Sequence, residues 1–171
     1  MRSLATICLA VLFLLSSQLS PLRAQSVTCD HVVNNQQSFN ESLMSAIWKH
    51  LNAGAHDQVI ACFNEMADKF DLAAPRLQTS LQTNGCPYPV GAVNDEKLRE
   101  KIFRNGVLND MASAYFAVGQ SHEKLRQYDE ARQVYGKCVE LTCARTWDPK
   151  GWFWSPAHAC ADRLVKLPNR Q

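Results

Sequence analysis

The chain has 171 residues, of which 46% are hydrophobic, and it carries 18 basic side chains against 16 acidic ones. Two of the basic residues, Arg2 and Arg23, lie in a leader-like segment, so the rest of the chain is formally neutral. A balanced surface has no long-range field that steers nucleic acid or anionic lipid. The composition therefore excludes a basic nucleic-acid-binding protein, and the length allows one domain with a substantial core.

Residues 1–24 are predicted to be a signal peptide. Arg2 supplies a short positive start, residues 4–15 are almost entirely apolar, and Ala24 offers a small residue for cleavage. The apolar run is too short to span a bilayer, which takes about 20 apolar residues. We therefore expect an exported protein, periplasmic or secreted, with a mature domain over 25–171 and no transmembrane segment in it.

Apolar side chains recur every three or four residues over 42–52 and again over 59–66, which predicts two amphipathic helices. Ala53 and Gly54 separate them, and Asp57 is a candidate cap for the second helix. Helices joined by so short a turn pack antiparallel.

The middle of the chain is less regular. Prolines and glycines make 85–89 a loop on backbone grounds, and helical spacing returns over 94–103. Asn94 or Asp95 is expected to cap that helix, and Gly106 to end or bend it.

The strongest helical signal runs over 107–141, as two apolar stripes separated at Arg126 and Gln127. Gly119 and Ala131 are small enough to let the two helices approach closely. Residues 146–154 cannot be a helix, and Ser155-Pro156 is expected to start a closing helix that runs to about Lys166.

These helices resemble the tetratricopeptide repeat. A weaker copy over 43–66 places Gly54 at the turn and Phe63 at an aromatic position, whereas the stronger copy has Arg126 where the family has a turn glycine. The copies lie 72 residues apart, close to twice the ~34-residue period of this repeat. The strong copy matches at Tyr115, Val118, Gly119 and His122, then at Tyr128, Asp129, Glu130, Ala131, Tyr135, Cys138 and Leu141.

The resemblance implies an all-α fold, a short helix-turn-helix solenoid of about six or seven helices. Its repeat-like units would be 40–73 and 112–145, with a degenerate unit over 74–111 and a capping helix over 155–166. It also implies a binding groove for a peptide or protein, although neighbouring helices could instead bury the aromatic side chains. The groove positions carried over from the family are Met44, Trp48, Leu51, Asn52, Phe116, Gln120, Glu123 and Lys124.

Three of the four tryptophans stand close together at Trp147, Trp152 and Trp154, with Phe153 between the last two. A loop so rich in aromatic residues is either a recognition loop or a plug that folds down on one end of the solenoid. As a recognition loop it could bind a protein or, alternatively, a glycan or cell-wall fragment.

Six cysteines remain after the leader, and an even number in an exported chain favours disulfides. We expect two or three bonds, including one from Cys143 to Cys160 across the tryptophan-rich segment, while Cys138 could be a packed thiol. Cys62 could pair with Cys86 or Cys29, and the sequence alone does not choose among the 15 pairings. The disulfide candidates are Cys29, Cys62, Cys86, Cys138, Cys143 and Cys160.

We expect no metal site, cofactor or catalysis. The paired short cysteine spacings of zinc sites are missing, and the five histidines fall in no hydrolase or zinc-protease pattern. The sequence therefore favours an exported protein-protein interaction module, such as an adaptor, assembly factor or accessory subunit, over a small secreted enzyme.

Overall fold

The computed structural model describes residues 27–31 and 37–168, and the predicted signal peptide lies outside this part of the chain. The described residues form seven helices and two short strands, and none of these helices combines the length and apolar character needed to cross a membrane. The elements are α1 (Phe39–Asn52), α2 (His56–Phe70), α3 (Ala73–Gln82), α4 (Glu96–Phe103), α5 (Gly106–Lys124), α6 (Tyr128–Val139), β1 (Thr146–Asp148), β2 (Trp152–Trp154) and α7 (Pro156–Leu164).

Side-chain caps define several helix starts. Asp95 caps α4 by accepting a hydrogen bond from the Leu98 N–H at 3.3 Å, which confirms one of the two predicted caps. Ser155 caps α7 in the same way, with Pro156 at the first helical position as predicted. Gly106 starts α5 rather than bending the preceding helix, because α4 has already ended at Phe103.

Four of the described helices, α1, α2, α6 and α7, pack around α5. Helix α1 contacts α2, both of them contact α5, and α5 contacts α6 and α7, which also contact each other. Helix α5 can take this central place because small side chains, among them Ala112, Ala114 and Ala117, let neighbours approach it from several sides. The hydrophobic core is therefore shared by all five helices.

The two helices of the middle segment, α3 and α4, lie outside this array of five helices. Each of α3 and α4 contacts α5, and within the described residues they share almost no contact with each other. Because α2 packs directly on α5, the predicted degenerate unit over 74–111 does not stand between the two helix pairs. The 72-residue spacing therefore reflects two neighbouring pairs with a long connection.

The turns within the two helix pairs have the same hydrogen bonds. In the first, the N–H groups of residues 53, 54 and 55 donate to the carbonyls of residues 49, 51 and 50. In the second, the N–H groups of residues 125, 126 and 127 donate to the carbonyls of residues 121, 123 and 122. Since every one of these positions is shifted by 72, the two pairs are structurally equivalent at their turns.

Helices α5 and α6 approach closely at Gly119. A Cβ atom built there would stand closer than 3.0 Å to three ring atoms of Tyr135, so only glycine fits. Ala131 on α6 is fully buried. The prediction of a tight contact is therefore confirmed for Gly119.

Residues 146–154 form an antiparallel hairpin of β1 and β2, in line with the prediction that they are not helical. Phe153 is fully buried and exchanges two backbone hydrogen bonds with Gly91, at 2.8 and 2.9 Å. The hairpin thus packs against the proline-rich loop and α4. Their apolar side chains form a second cluster of Val93, Ile102 and Phe153, with Tyr88, Leu98 and Trp147 against it.

Three disulfides join the elements. Cys29 bonds Cys62, Cys86 bonds Cys143, and Cys138 bonds Cys160. The predictions of a Cys143–Cys160 bond and of a packed Cys138 thiol are wrong. Helix α6 packs on α7 and brings the buried Cys138 to Cys160. Each bond is worth about 3 to 4 kcal/mol in the chain-entropy model.

Candidate functional site

The predicted groove positions on α1 differ in exposure. Met44 is buried in the core, Trp48 is half-buried against it, and Asn52 is exposed at the end of the helix. Met44 therefore acts in packing, and Trp48 and Asn52 keep surface that a partner could contact.

The equivalent positions on α5 also differ in exposure to solvent. The Phe116 ring lies between Tyr135 and Trp154, with ring centroids 6.4 and 5.4 Å away, which supports the packing interpretation for Phe116. Gln120 is half-buried and Lys124 is exposed. Gln120 and Lys124 are equivalent to Trp48 and Asn52 by the 72-residue relation, and the helices that carry them, α5 and α1, contact each other.

The tryptophan-rich hairpin mostly faces inward. Trp147 packs against Phe103 and Phe153, at centroid distances of 5.9 and 5.0 Å, and Trp154 packs on Phe116. Trp152 is the most exposed of the three, with 38% of its surface accessible. The hairpin covers α4 and the side of α5, and it presents no continuous aromatic platform.

A cleft between α3 and α6, here named the α3–α6 cleft, has a volume of about 540 Å³. Its walls come from the end of α2, from α3, from the middle of α5 and from the end of α6. Pro75 and Leu141 provide apolar surface, and the other side chains are polar or charged. The cleft is lined by Asp71, Pro75, Gln78, Thr79, Gln82, Tyr115, Lys137, Glu140, Leu141 and Thr142.

A hydrogen-bond network closes one side of the cleft. The Tyr115 hydroxyl donates to Asp71, and Lys137 Nζ lies 3.1 Å from the other oxygen of the same carboxylate. Burial, followed by the hydrogen bond to the Asp71 carboxylate, raises the pKa of Tyr115 well above its ordinary value. Tyr115 therefore stays a neutral hydrogen-bond donor at physiological pH, and Asp71 is charge-compensated.

The opposite side is held by Gln78, whose side chain is buried. Its amide nitrogen donates to Thr142 Oγ1 at 2.8 Å, and its amide oxygen accepts from the Cys143 N–H at 2.9 Å. The Cys86–Cys143 disulfide anchors this same segment. The wall near Thr142 is therefore rigid, whereas Glu140 is exposed and has no ion-pair partner among the described residues.

The sequence did not predict this cleft. Its residues belong to α3, in a segment with no regular helical spacing, and to the end of α6, whose charges look like an ordinary solvated surface. The one available signal was the pair of polar side chains Gln78 and Thr142 near the cysteines, and their contact depends on how α3 folds back on α5.

A second group of reactive side chains surrounds the Cys29–Cys62 disulfide. Each sulfur has one histidine and one carboxylate beside it, with the potential ligand atoms of each group within 4.8 Å of one another. The hydrogen bond from His50 holds the pKa of Asp30 below its ordinary range. The groups are Cys29, His31 and Glu65 on one side and Asp30, His50 and Cys62 on the other.

No protein-family model matches the chain, and neither a curated protein nor a solved structure matches it.

Proposed function

We propose that this chain is an exported, non-catalytic binding module that holds an extended segment of another protein in the α3–α6 cleft. The observation that carries the proposal is the cleft itself, because its volume of about 540 Å³ suits a few peptide residues. Three disulfides support residence in an oxidising compartment.

The polar lining fits an extended peptide. A peptide backbone alternates N–H donors with carbonyl acceptors, and neutral hydroxyl and amide side chains such as Thr142 and Gln82 can serve both. Pro75 and Leu141 give apolar surface for a peptide side chain. The pre-formed network of Asp71, Tyr115 and Lys137 lowers the entropy lost on binding.

The charges of the cleft favour a basic side chain in the peptide. Lys137 compensates Asp71, which leaves Glu140 as an exposed carboxylate on the lining. A lysine or arginine of the bound segment would complete that pair. We therefore propose a partner segment with at least one basic residue.

The family resemblance adds a further argument for binding. Two equivalent helix pairs pack next to each other and end at equivalent turns, as in repeat proteins that hold peptides. The second candidate surface is the groove face, formed by Trp48, Asn52, Gln120 and Lys124. Peptide binding to variants of each surface distinguishes the groove face from the α3–α6 cleft.

The test is selection of random peptides on the immobilised protein, followed by measurement of peptide affinity for variants. Glu140→Lys is expected to weaken the selected peptides at least tenfold, because it repels their basic side chains. Glu130→Lys makes the same charge change on α6 at an exposed position that does not line the cleft, and it should leave affinity unchanged.

Equal losses of affinity in Glu140→Lys and Glu130→Lys would contradict the cleft proposal. Loss of affinity in Trp48→Ala without loss in Glu140→Lys would move the binding site to the groove face. Selection of no peptide above background would contradict peptide binding.

A further inference from the structure

Three separate parts of the chain bring ligand-type side chains to the Cys29–Cys62 disulfide. The segment 29–31 supplies one sulfur and His31, the last turn of α1 supplies His50, and α2 supplies the other sulfur and Glu65. Packing of α1 on α2 positions the second and third contributions. The arrangement is therefore held by tertiary structure rather than by one flexible loop.

The imidazole of His31 is held in place but lacks a hydrogen bond at Nδ1. That nitrogen is buried, and its nearest charged neighbour in the described part of the chain is Glu65 Oε2 at 3.7 Å, which is beyond hydrogen-bonding distance. The ring stands edge-on to Phe39 with centroids 5.1 Å apart. A buried nitrogen that is oriented but unsatisfied is a feature of an empty ligand position.

The second imidazole is also buried and oriented. His50 is 7% exposed and its Nε2 contacts Asp30. Metal-bound histidines in proteins are commonly oriented by a neighbouring carboxylate, and here each of the two imidazoles has one nearby.

We propose that reduction of the Cys29–Cys62 disulfide creates a zinc site formed by Cys29, Cys62, His31 and His50. Two thiolates and two imidazoles are a ligand set that zinc binds tetrahedrally in proteins. Asp30 contacts the His50 imidazole, and Glu65 lies 3.7 Å from His31 Nδ1. In the disulfide form the sulfurs are bonded to each other, so the site is closed to the metal.

The site forms in two steps, reduction of the disulfide and then binding of zinc. A dithiol or phosphine reductant supplies two electrons, the sulfur-sulfur bond breaks, and the sulfurs take up two protons to become thiols. Zinc binding then displaces those two protons, and two zinc–sulfur bonds form. The charge of Zn²⁺ is cancelled by the two thiolates, so the buried site is neutral.

A single substitution opens part of the site without any reductant. Cys62→Ser frees Cys29, which is half-buried, and leaves the other two disulfides intact. Cys143→Ser is the matched control, since it removes a buried cysteine and frees the half-buried Cys86, which belongs to neither metal-ligand group.

Cobalt(II) is the probe, because a thiolate bonded to it gives a charge-transfer absorption band. Titration should show one cobalt bound per chain in Cys62→Ser, at least tenfold more tightly than in Cys143→Ser, and zinc should displace it. Adding His31→Ala or His50→Ala to Cys62→Ser should weaken cobalt binding at least tenfold. Wild type should take up one zinc per chain after phosphine reduction and at least tenfold less tightly before it.

Equal cobalt affinity in the two cysteine variants would overturn the proposal, and so would histidine substitutions that change nothing. Circular dichroism accompanies each titration. If reduced wild type loses its helical signal, the comparison of the two folded cysteine variants decides the question alone.

Discussion

Arg126 takes the same left-handed backbone conformation as Gly54, with φ angles of 59° and 70° at equivalent positions of the two turns. A residue with a Cβ atom is strained in that conformation, whereas glycine is not. The hydrogen bonds around the second turn are nevertheless complete, so the packing of α5 on α6 holds Arg126 in place. The departure from the repeat pattern is thus one of residue type and not of geometry.

Arg126→Gly is therefore expected to stabilise the protein by up to about 1 kcal/mol, because relief of strain exceeds the extra entropy of the unfolded chain. Urea unfolding gives the measurement. Arg104→Gly is the control, since Arg104 is exposed and has a φ of −60°, and it should be neutral or destabilising. A loss of stability in Arg126→Gly would show that the Arg126 side chain makes a contact whose stabilising effect exceeds the cost of the backbone strain.

Gly119→Ala is expected to destabilise the protein by about 1 to 3 kcal/mol or more, because the added methyl group overlaps the Tyr135 ring. Gly136→Ala on α6 is the matched control. Nothing lies within 4 Å of a Cβ atom there, and alanine favours a helix by about 1 kcal/mol over glycine. Thermal unfolding should move the two melting temperatures in opposite directions; a parallel shift would mean that the contact is looser than described.

The contribution of Asp110 to stability should fall as pH rises from about 4 to 6. Burial raises the pKa of this carboxyl from 3.8 to about 6, and the hydrogen bond from Asn40 Nδ2 at 2.6 Å offsets part of that rise. Between those pH values the folded state keeps a proton that the unfolded state releases, so raising the pH favours unfolding. The full effect is on the order of 3 kcal/mol above pH 6.

Asp110→Asn removes this titration and keeps the shape of the side chain. The variant should lose that component of the pH dependence and become more stable than wild type near pH 7, measured by urea unfolding at several pH values. Asp162→Asn, at an exposed position on α7, should retain the wild-type profile. If stability depended on pH in the same way in Asp110→Asn and in wild type, Asp110 would not be the source of this pH dependence.

The tryptophans of the hairpin should differ in their effect on stability. Trp147→Ala is expected to cost about 2 to 3 kcal/mol, since its ring contacts Phe103, Phe153 and the Arg99 guanidinium. Trp152→Ala should cost less than about 1 kcal/mol because that side chain is exposed. Unfolding is best followed by far-ultraviolet circular dichroism, as both changes alter the fluorescence; equal losses would contradict the inward orientation of Trp147.

Most of the helices, the caps of α4 and α7 and the two turns could be predicted because the interactions that form them are short in sequence. The predicted Asp57 cap is wrong, since Ala55 is the N-cap of α2 and Asp57 lies in its first turn. Apolar residues spaced by three and four, a capping Asp95 or Ser155, and a small residue at position 119 each act within a few residues or between adjacent helices. The repeat-like relation between residues 54 and 126 also rests on local pattern. Periodicity gives no information on which helices are neighbours in space, so it could not place the two helices of the middle segment, α3 and α4, against α5.

By itself the sequence determined a mostly helical protein with cysteines enough for three disulfides, since periodicity and composition suffice for both. Tertiary structure alone decided that Cys138 and not Cys143 bonds Cys160, and that α3 lies across from α6 to form a cleft. It alone brought His31 and His50 to either side of one disulfide. Such contacts join residues far apart along the chain, and they depend on the packing of whole helices against α5.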